Sequence, residues 1–301
     1  MATYRNFTSD NAAPVCQEVL AALAAANAGM SAPYGEDTLT AKLREKFSSL
    51  FGREVFVFPM FTGTAANAVA LSTITPSYGA VFCHEEAHIQ VDEGGATELI
   101  SGGAKLIPLA GDQGRINPDD FRRMLERMPR GVMHNNQPAA LSLTQGTECG
   151  TLYSLAQLRS LTDIAREHRL KVHMDGARFA NAVEALGVTP AQLSVEVGID
   201  VLCFGGTKNG AMGAEAMIFF DEATAARAIF IQKRSGHVMS KMRFVSAQLL
   251  ALLDGEVWLR HARAANAAAR MLAKGLAEIG FKARYEAQIN EVFVTLPRAV
   301  V

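Results

Sequence analysis

The chain has 301 residues and a mass of 32.3 kDa, a length that fits two domains or one large α/β domain with a smaller appendage. Apolar residues make up 49% of it and charged residues 20%, a composition that supports a large core and excludes global disorder. The 29 basic and 30 acidic side chains give a formal charge of −1, which excludes the strongly basic character typical of a nucleic-acid binder.

The cysteines and the start of the sequence favour a cytoplasmic protein. The cysteines are far apart and form no C-x-x-C pair, so neither a zinc ribbon nor a disulfide framework is predicted. The first ten residues, MATYRNFTSD, contain no apolar run of the kind found in secretory signals. We therefore expect a cytoplasmic location.

One segment from Val55 to Cys83 contains no charged residue and no histidine. By length alone it could span a bilayer. However, Pro59, Pro76 and several polar residues interrupt it, and two prolines would break a spanning helix. The segment is therefore predicted to be a buried part of the fold, and no membrane association is expected.

Short apolar runs alternate with longer amphipathic segments along most of the chain. Helices are predicted to begin after the capping residues Asn117 and Ser154. Seven runs are predicted as strands: Val55–Phe58, Ala80–Cys83, Lys105–Leu109, Ala140–Thr144, Leu170–Met174, Asp200–Phe204 and Ala216–Phe220. This alternation predicts an α/β fold with a mostly parallel mixed sheet covered by helices.

The last fifty residues follow a different pattern. One long alanine-rich helix is predicted from Glu256 to about Gly280, and a strand from Glu291 to Leu296. A single helix and a single strand cannot bury their apolar faces alone. We therefore expect residues 251–301 to begin a small, incomplete α+β domain that follows a large domain of residues 1–250.

The string HEEAH, from His84 to His88, matches the H-E-x-x-H pattern of zinc hydrolases. That chemistry needs both histidines one turn apart on a helix. Here the string directly follows a predicted strand, and Gly94-Gly95 leaves no room for a long helix. We expect no metal, and a zinc hydrolase stays as the alternative from another class of enzyme.

Three motifs follow the ends of predicted strands, where α/β sheets bind their ligands. In FTGTAANAVAL, Gly63 and Thr64 open a helix whose free amides can hold a phosphate. In VHMDGARFANA, Asp175 ends a strand, and Arg178 offers a planar fork for a carboxylate or phosphate. In CFGGTKNG, Lys208 lies among glycines, where a partly desolvated amine is a good nucleophile. Each motif alone also has an ordinary structural explanation.

Together the three motifs supply what pyridoxal phosphate requires. The lysine forms a Schiff base, the aspartate keeps the pyridine nitrogen protonated, and the helix start holds the phosphate. A ring should also stack on the pyridine face, and His88, after the second predicted strand, is in the right place.

The sequence resembles the low-specificity L-threonine aldolases, which are pyridoxal-phosphate enzymes of fold type I, the aspartate-aminotransferase-like fold. The matching segments are FTSDN, YGED, FTGTAAN, EEAHI, the Gly-Gly pair at 94–95, LTQGTECGTLYSL, HMDGARFANA and FGGTKNG, in family order over nearly the whole chain. The resemblance implies a homodimer or homotetramer, with active sites at the dimer interface and a small β-hydroxy amino acid as substrate.

The resemblance also implies roles for individual residues at the cofactor. Lys208 would be the Schiff-base lysine, Asp175 the pyridine partner and His88 the stacking ring and candidate base. Gly63 and Thr64 would hold the phosphate, with Asn67 as a further candidate.

Other matching positions concern the substrate. Ser9 and Arg178 match positions that bind the substrate carboxylate, and Tyr34 lies in the matching YGED segment. Arg234 or Lys241 is a candidate for a neighbouring subunit's phosphate, although its segment departs from the family's glycine-rich form.

Two departures from the family concern substrate recognition. Thr147 is placed where many members carry a histidine that touches the substrate hydroxyl, so the threo/erythro preference is open. The sequence also ends at Val301, before the arginine with which the family clamps the carboxylate.

The expected reaction is retro-aldol cleavage of L-threonine, L-allo-threonine or phenylserine to glycine and an aldehyde. Another fold type I lyase, such as a β-eliminating lyase, is the alternative within the same fold, and a non-catalytic cofactor-binding protein is a third.

Overall fold

The computed structural model describes residues 7–298. The predictions on the first ten residues and on residues 251–301 therefore lie partly outside the described residues. The strands are β1 (Phe56–Met60), β2 (Gly79–His84), β3 (Lys105–Leu109), β4 (Gly111–Asp112), β5 (Arg115–Ile116), β6 (Gln137–Thr144), β7 (Lys171–Gly176), β8 (Val201–Gly205) and β9 (Glu215–Phe219).

The helices cover this sheet and connect its strands. They are α1 (Gln17–Ala26), α2 (Thr38–Phe51), α3 (Gly63–Ile74), α4 (His88–Val91), α5 (Ala96–Ser101), α6 (Pro118–Arg127), α7 (Leu155–Glu167), α8 (Phe179–Leu186), α9 (Pro190–Leu193), α10 (Glu222–Ala225), α11 (Ala228–Arg234), α12 (Arg243–Leu253) and α13 (Val257–Glu278). Short 3₁₀ helices lie at Asp10–Ala12, Val195–Val197, Thr207–Asn209 and Asp254–Glu256.

Seven strands form one mixed sheet in the order β1-β9-β8-β7-β6-β2-β3. Only β9 runs against its neighbours in this sheet, and the pairs among β8, β7, β6, β2 and β3 are parallel. The carboxyl ends of β6, β7 and β8 therefore lie at one edge, where an α/β sheet binds ligands. The predicted mostly parallel mixed sheet covered by helices is confirmed.

The charge-free segment forms β1, α3 and β2. Helix α3 is buried from Ala65 to Thr73, and every residue of β2 is buried. The helix contacts β1, β6, β7, β8 and β9 as it crosses the sheet, so a charge on it would lack solvent. Within the described part of the chain, no helix has the length and apolar character needed to cross a membrane.

Local capping residues set the starts of two predicted helices. The Asn117 side chain accepts hydrogen bonds from the amides of Asp119 and Asp120 at the start of α6. Ser154 and Gln157 form a reciprocal capping box at the start of α7. Both starts agree with the sequence prediction because the caps act within one helical turn.

The carboxyl-terminal segment differs from its prediction in one element. The long helix is present as α13, and it packs on α8 and α12. The strand predicted from Glu291 to Leu296 is wrong, because in residues 7–298 that segment forms only an isolated bridge between Ala283 and Val294. An alternating apolar pattern needs a neighbouring strand to complete a ladder. The division at residue 250 stays a prediction.

Candidate active site

A cavity of about 360 Å³ lies at the carboxyl ends of β6, β7 and β8. The sequence-predicted residues that line it together are Gly63, Thr64, Asn67, His88, Asp175, Arg178 and Lys208. They come from segments far apart in sequence, and the parallel strands bring them to one edge of the sheet.

Lys208 lies on a short 3₁₀ turn directly after β8. This turn is packed so closely that it needs glycine at two positions. A Cβ on Gly205 would lie 2.5 Å from the backbone oxygen of Ala177, and one on Gly206 would lie 2.4 Å from that of Ala214. The glycines therefore let the lysine turn pack against two backbone segments. This packing fixes the backbone position of Lys208, from which its side chain extends.

Asp175 is the penultimate residue of β7 and is nearly fully buried, with both carboxylate oxygens hydrogen-bonded. Oδ1 accepts from the amide of Ala177 at 2.9 Å, and Oδ2 accepts from Asn67 Nδ2 at 2.7 Å. Asn67 Nδ2 also donates to Glu93 Oε1 at 2.9 Å. Because both amide protons of Asn67 are donated to carboxylates, none is left for a phosphate oxygen. The structure therefore gives Asn67 different partners from the predicted phosphate.

His88 begins α4, and its Nδ1 lies 2.9 Å from Glu93 Oε1. This hydrogen bond raises the pKa of His88, against the opposing effect of burial. A carboxylate only accepts, so Nδ1 donates and the ring orientation is fixed. Glu93 thus links His88 through Asn67 to Asp175. Sequence reasoning missed Glu93, whose available signal was its position five residues after His88, just before Gly94-Gly95.

The start of α3 provides free backbone donors. Thr62 caps the helix by accepting the amide of Ala65 at 3.2 Å. The amides of Gly63 and Thr64 donate to no acceptor among residues 7–298. Both residues line the cavity, so this helix start can receive a phosphate.

Arg178 lines the cavity, and its guanidinium is paired with two carboxylates of the protein. Its Nε and Nη2 donate to Asp10 at 3.0 and 3.3 Å, and Nη2 also lies 3.0 Å from Glu291 Oε1. Asn290 donates to Asp10 at 3.1 Å. The carboxyl-terminal segment therefore reaches the predicted substrate-carboxylate position, a contact that local sequence patterns did not signal.

Three predicted substrate residues do not line the cavity. Ser9 is exposed, and its Oγ accepts from the amide of Asn11. Tyr34 is 55% exposed, and Lys233 lies over its ring. Thr147 is fully buried elsewhere, where its Oγ1 bonds Thr151 Oγ1 at 2.8 Å and the Gln113 carbonyl at 3.2 Å.

Two glutamates that sequence reasoning missed also line the cavity, the buried Glu215 and the part-buried Glu148. Burial raises the pKa of Glu215 to about 7, although hydrogen bonds from Thr207 and the Gly206 amide oppose the shift. Burial likewise raises the pKa of Glu148 to about 7. Glu148 lies beside Thr147 in the segment that the sequence had singled out. Which of two adjacent side chains faces a cavity depends on the turn, and the sequence does not contain that information directly.

The HEEAH string does not form the zinc-hydrolase arrangement. His84 ends β2, and His88 begins α4 after an intervening turn, so the two rings are not on one helix. His84 Nδ1 accepts the amide of Glu86, and His88 Nδ1 is bound to Glu93. Within residues 7–298, the acid, thiol and imidazole group spaced for a metal is Cys16, Glu18 and His261, outside this cavity.

The side chains of the cavity fit the chemistry of pyridoxal phosphate. An amine, a buried aspartate, an imidazole ring and a helix start with two free amides line one cavity. Asn67 Oδ1 and Glu148 Oε2 are buried oxygens without a hydrogen-bond partner in the described chain. Buried polar atoms of this kind are rare unless a ligand or water satisfies them.

The fold and cavity define a member of the aspartate-aminotransferase-like class. An aspartate aminotransferase of Thermus thermophilus superposes with a TM-score of 0.69 at 19% identity, covering 90% of this chain and 75% of that one. A threonine aldolase of Leishmania major superposes with a TM-score of 0.91 at 26% identity, covering 97% of this chain and 84% of that one.

Sequence comparisons give the family. The family model described as beta-eliminating lyase matches residues 6–299. Low specificity L-threonine aldolase of a Pseudomonas species is 41% identical over 97% of this chain and 84% of its own length. The protein of that name from Pseudomonas aeruginosa is 40% identical over 99% and 86%. The chain belongs to the beta-eliminating lyase family, and the predicted resemblance to threonine aldolases is confirmed.

Proposed function

We propose that this protein cleaves L-threonine, L-allo-threonine or a related β-hydroxy-α-amino acid to glycine and an aldehyde. The observation that carries the proposal is the convergence of Lys208, Asp175 and the free amides of α3 on one cavity whose wall also contains Arg178. The identity of 40–41% to low specificity L-threonine aldolases over nearly the whole chain supports the same reaction.

Pyridoxal phosphate is the cofactor that the family and this donor set imply. Lys208 would hold it as a Schiff base, Asp175 would face its pyridine nitrogen, and Gly63 and Thr64 would bind its phosphate. When bound, the cofactor supplies an electron sink for the pair left on Cα as the Cα–Cβ bond breaks. His88 would cover the ring, and its bond to Glu93 holds the imidazole in one orientation.

Arg178 is the proposed anchor for the substrate carboxylate. Its Nη1 makes no hydrogen bond to the described chain, whereas Nε and Nη2 are engaged by Asp10 and Glu291. A carboxylate fixed here would orient the bond to be cleaved. Ser9 precedes the residue that pairs with Arg178, and we include it as a second carboxylate contact. Thr147 is not part of the proposed substrate site, because its hydroxyl is bound elsewhere.

Replacement of the lysine tests the site directly. Lys208→Ala should abolish the visible absorption of the lysine-bound cofactor and the release of aldehyde. Lys105→Ala, at an exposed position on the edge strand β3, is the matched control and should change neither. If Lys208→Ala retains both the absorption and the activity, the assignment of the site is wrong.

A β-eliminating lyase is the second candidate, because the matching family model carries that description. The two reactions give different products. Cleavage of threonine between Cα and Cβ yields glycine and acetaldehyde, whereas β-elimination yields ammonia and a keto acid. Product analysis with threonine, allo-threonine and phenylserine separates the reactions. It also measures the β-substituent preference, which one apolar contact shifts by only about 1–3 kcal/mol.

We also propose an oligomer in which a neighbouring subunit completes the site. Tyr34 lies on the surface with the segment from Lys233 to Lys241, where its amide donates to Ser240 and its ring packs under Lys233. The exposed Arg234 and Lys241 belong to the same surface. Light scattering should detect a dimer or tetramer, and a strictly monomeric active enzyme would contradict this assembly.

A further inference from the structure

Glu148 is placed by β6 and by the loop that follows it, at the wall of the cavity that contains Lys208 and Asp175. Two donors hold one of its carboxylate oxygens. The backbone amide of His88 and the hydroxyl of Thr144 donate to Oε1, each at 2.8 Å. The carboxylate is therefore anchored from β6 and from the start of α4.

The second oxygen of this carboxylate is free. Glu148 Oε2 is buried and has no hydrogen-bond partner in the described chain. Leaving a buried polar oxygen unpaired costs free energy, because the atom has lost its hydrogen bonds to water. Such an atom is rare in a folded protein unless it serves a ligand or a catalytic step. Glu148 lines the same cavity as Lys208 and Asp175, so a substrate hydroxyl bound there is a suitable partner for this carboxylate.

The groups around Glu148 determine the pH at which its carboxyl ionises. Burial raises the pKa of Glu148 to about 7, the hydrogen bond from the His88 amide opposes the shift, and the charge of Asp175 adds to it. Glu148 also interacts with the thiols of Cys83 and Cys149 and the phenol of Tyr153, and the pKa of each is raised mainly by burial. The imidazole of His88 faces Glu93, not Glu148. A carboxylate with a pKa near 7 is well matched to proton transfer at neutral pH.

We propose that Glu148 is the general base that takes the proton of the substrate β-hydroxyl, an inference that rests on the proposed retro-aldol function. In this step the O–H bond breaks and its proton goes to Glu148 Oε2. The electron pair of that bond forms the carbonyl of the departing aldehyde, and the Cα–Cβ pair remains on Cα. In the reverse direction the protonated carboxyl returns the proton to the aldehyde oxygen.

The other candidate groups are less suited to this step. His88 donates its Nδ1 proton to Glu93, and its ring is the group that would cover the cofactor. Thr147 is a hydroxyl group buried away from the cavity. Glu215 also lines the cavity, but its Oε2 already accepts the amide of Gly206 at 3.0 Å.

The variant Glu148→Gln tests the proposal, because the amide keeps the size and the anchored oxygen but cannot accept the proton. We expect it to retain the visible absorption of the bound cofactor. It should also retain exchange of the glycine Cα hydrogen in D₂O, which involves no β-hydroxyl. Aldehyde release from threonine should fall by about 10²–10⁴-fold. The rise of the wild-type rate through a pH near 7 should be absent from the variant.

A readout independent of turnover comes from infrared spectroscopy of the cofactor-free protein. The wild type should show carboxyl groups that ionise near pH 7, and the difference from Glu148→Gln should remove one of them while Glu215 still titrates. Glu86→Gln is the matched control. Glu86 accepts the Cys149 thiol at 3.2 Å and does not line the cavity, so the rate and its pH dependence should be unchanged.

The outcomes separate the two proposals. If the wild type binds cofactor but releases no aldehyde from any of the three β-hydroxy amino acids, the proposed function fails. If the wild type is active and Glu148→Gln stays within threefold of it with the same pH profile, the base is wrong and the function stands. If Glu148→Gln binds no cofactor, Glu148→Asp decides. This variant should keep the rise near neutral pH at a lower rate, and loss of that rise with cofactor still bound would overturn the proposal.

Discussion

Glu291 Oε1 lies 3.0 Å from Arg178 Nη2, so a carboxylate of the protein itself contacts the guanidinium that we assign to the substrate carboxylate. Burial raises the pKa of Glu291 although Arg178 lowers it, and Glu291 Oε2 has no hydrogen-bond partner in the described chain. Asp10 holds the Nε side of the same guanidinium. A substrate carboxylate bound at Arg178 would therefore share one cation with two protein carboxylates. The negative charges gathered around this guanidinium would repel one another.

Removal of the charge on Glu291 should strengthen substrate binding. In Glu291→Gln, the substrate carboxylate would meet one protein carboxylate at Arg178 instead of two. We expect KM for threonine to fall about threefold to tenfold with kcat little changed, as is typical of a change in uniform binding. Steady-state kinetics measure both values. Glu286→Gln, at an exposed position in the same segment, is the control. A rise in KM would show instead that Glu291 orients Arg178 for the substrate.

The sequence predicted those parts of the fold that depend on local patterns. All seven strands of the main sheet were found because their apolar runs are short and bounded by clear turns. The starts of α6 and α7 were found because Asn117 and Ser154 act within one turn. The strand at residues 291–296 was wrong because a ladder depends on a partner elsewhere in the chain. The pattern EVFVTL alone does not show whether such a partner exists.

For the candidate site, too, the sequence predicted the residues that local patterns place and missed those that distant packing places. Lys208 and the start of α3 each follow a strand, and Asp175 lies in the last two residues of one, so topology alone brings them together. Glu93 lies in the turn between α4 and α5, Glu148 in the loop after β6, and Glu291 in the carboxyl-terminal segment. Their positions depend on backbone turns and on packing between distant segments. Single-sequence motifs contain no direct record of such contacts.

Asn67 is expected to support the cofactor through Asp175. Its Nδ2 bridges Asp175 Oδ2 and Glu93 Oε1, so Asn67→Ala would leave two buried carboxylate oxygens without this donor. A hydrogen bond to a charged group contributes about 1.5–3 kcal/mol. We therefore expect the dissociation constant for pyridoxal phosphate to rise about 10-fold to 100-fold in a spectroscopic titration.

The matched variant Asn67→Asp tests the same contact at constant size. It replaces the donor by a third carboxylate, so the loss of affinity should be at least as large as in Asn67→Ala. An affinity within twofold of the wild type in both variants would show that the bridge does not contribute to cofactor binding.

Gly206 is expected to be irreplaceable in the lysine turn. A Cβ at this position would lie 2.4 Å from the backbone oxygen of Ala214 and 3.0 Å from Cδ2 of Leu249. The leucine end can move, but the backbone oxygen cannot give way in the same manner. We expect Gly206→Ala to lose about 1–3 kcal/mol of stability by overpacking and to bind cofactor poorly, because Lys208 would be displaced. Thermal unfolding and cofactor absorption measure the two effects.

Gly275→Ala provides the control for the same chemical change. Gly275 lies within α13, with no atom within 4 Å of the added methyl group and no positive φ. Alanine is the better helix former by about 1 kcal/mol, so this variant should be as stable as the wild type or slightly more stable. If Gly206→Ala and Gly275→Ala had the same thermal stability and the same cofactor absorption, the close packing described for the lysine turn would be contradicted.

Glu215 should make the stability of the cofactor-free protein depend on pH. Burial raises the pKa of Glu215 from 4.5 to about 7. The folded state therefore favours the protonated carboxyl relative to the unfolded chain. This contribution is fully present below about pH 4.5 and is lost as the pH rises through about 7. A shift of this size corresponds to about 3 kcal/mol.

The variant Glu215→Gln removes the ionisation while keeping an oxygen that can accept from the Gly206 amide. At pH 8 its Tm should exceed that of the wild type by on the order of 5 °C, since about 1 kcal/mol shifts the Tm of a chain of this size by a few degrees. The difference should shrink as the pH falls towards 5, where the wild-type carboxyl is protonated in the fold. Glu196→Gln, at an exposed position, should show no such pH-dependent difference. A Tm gain for Glu215→Gln that is equal at pH 5 and pH 8 would mean that ionisation of this carboxyl does not limit stability.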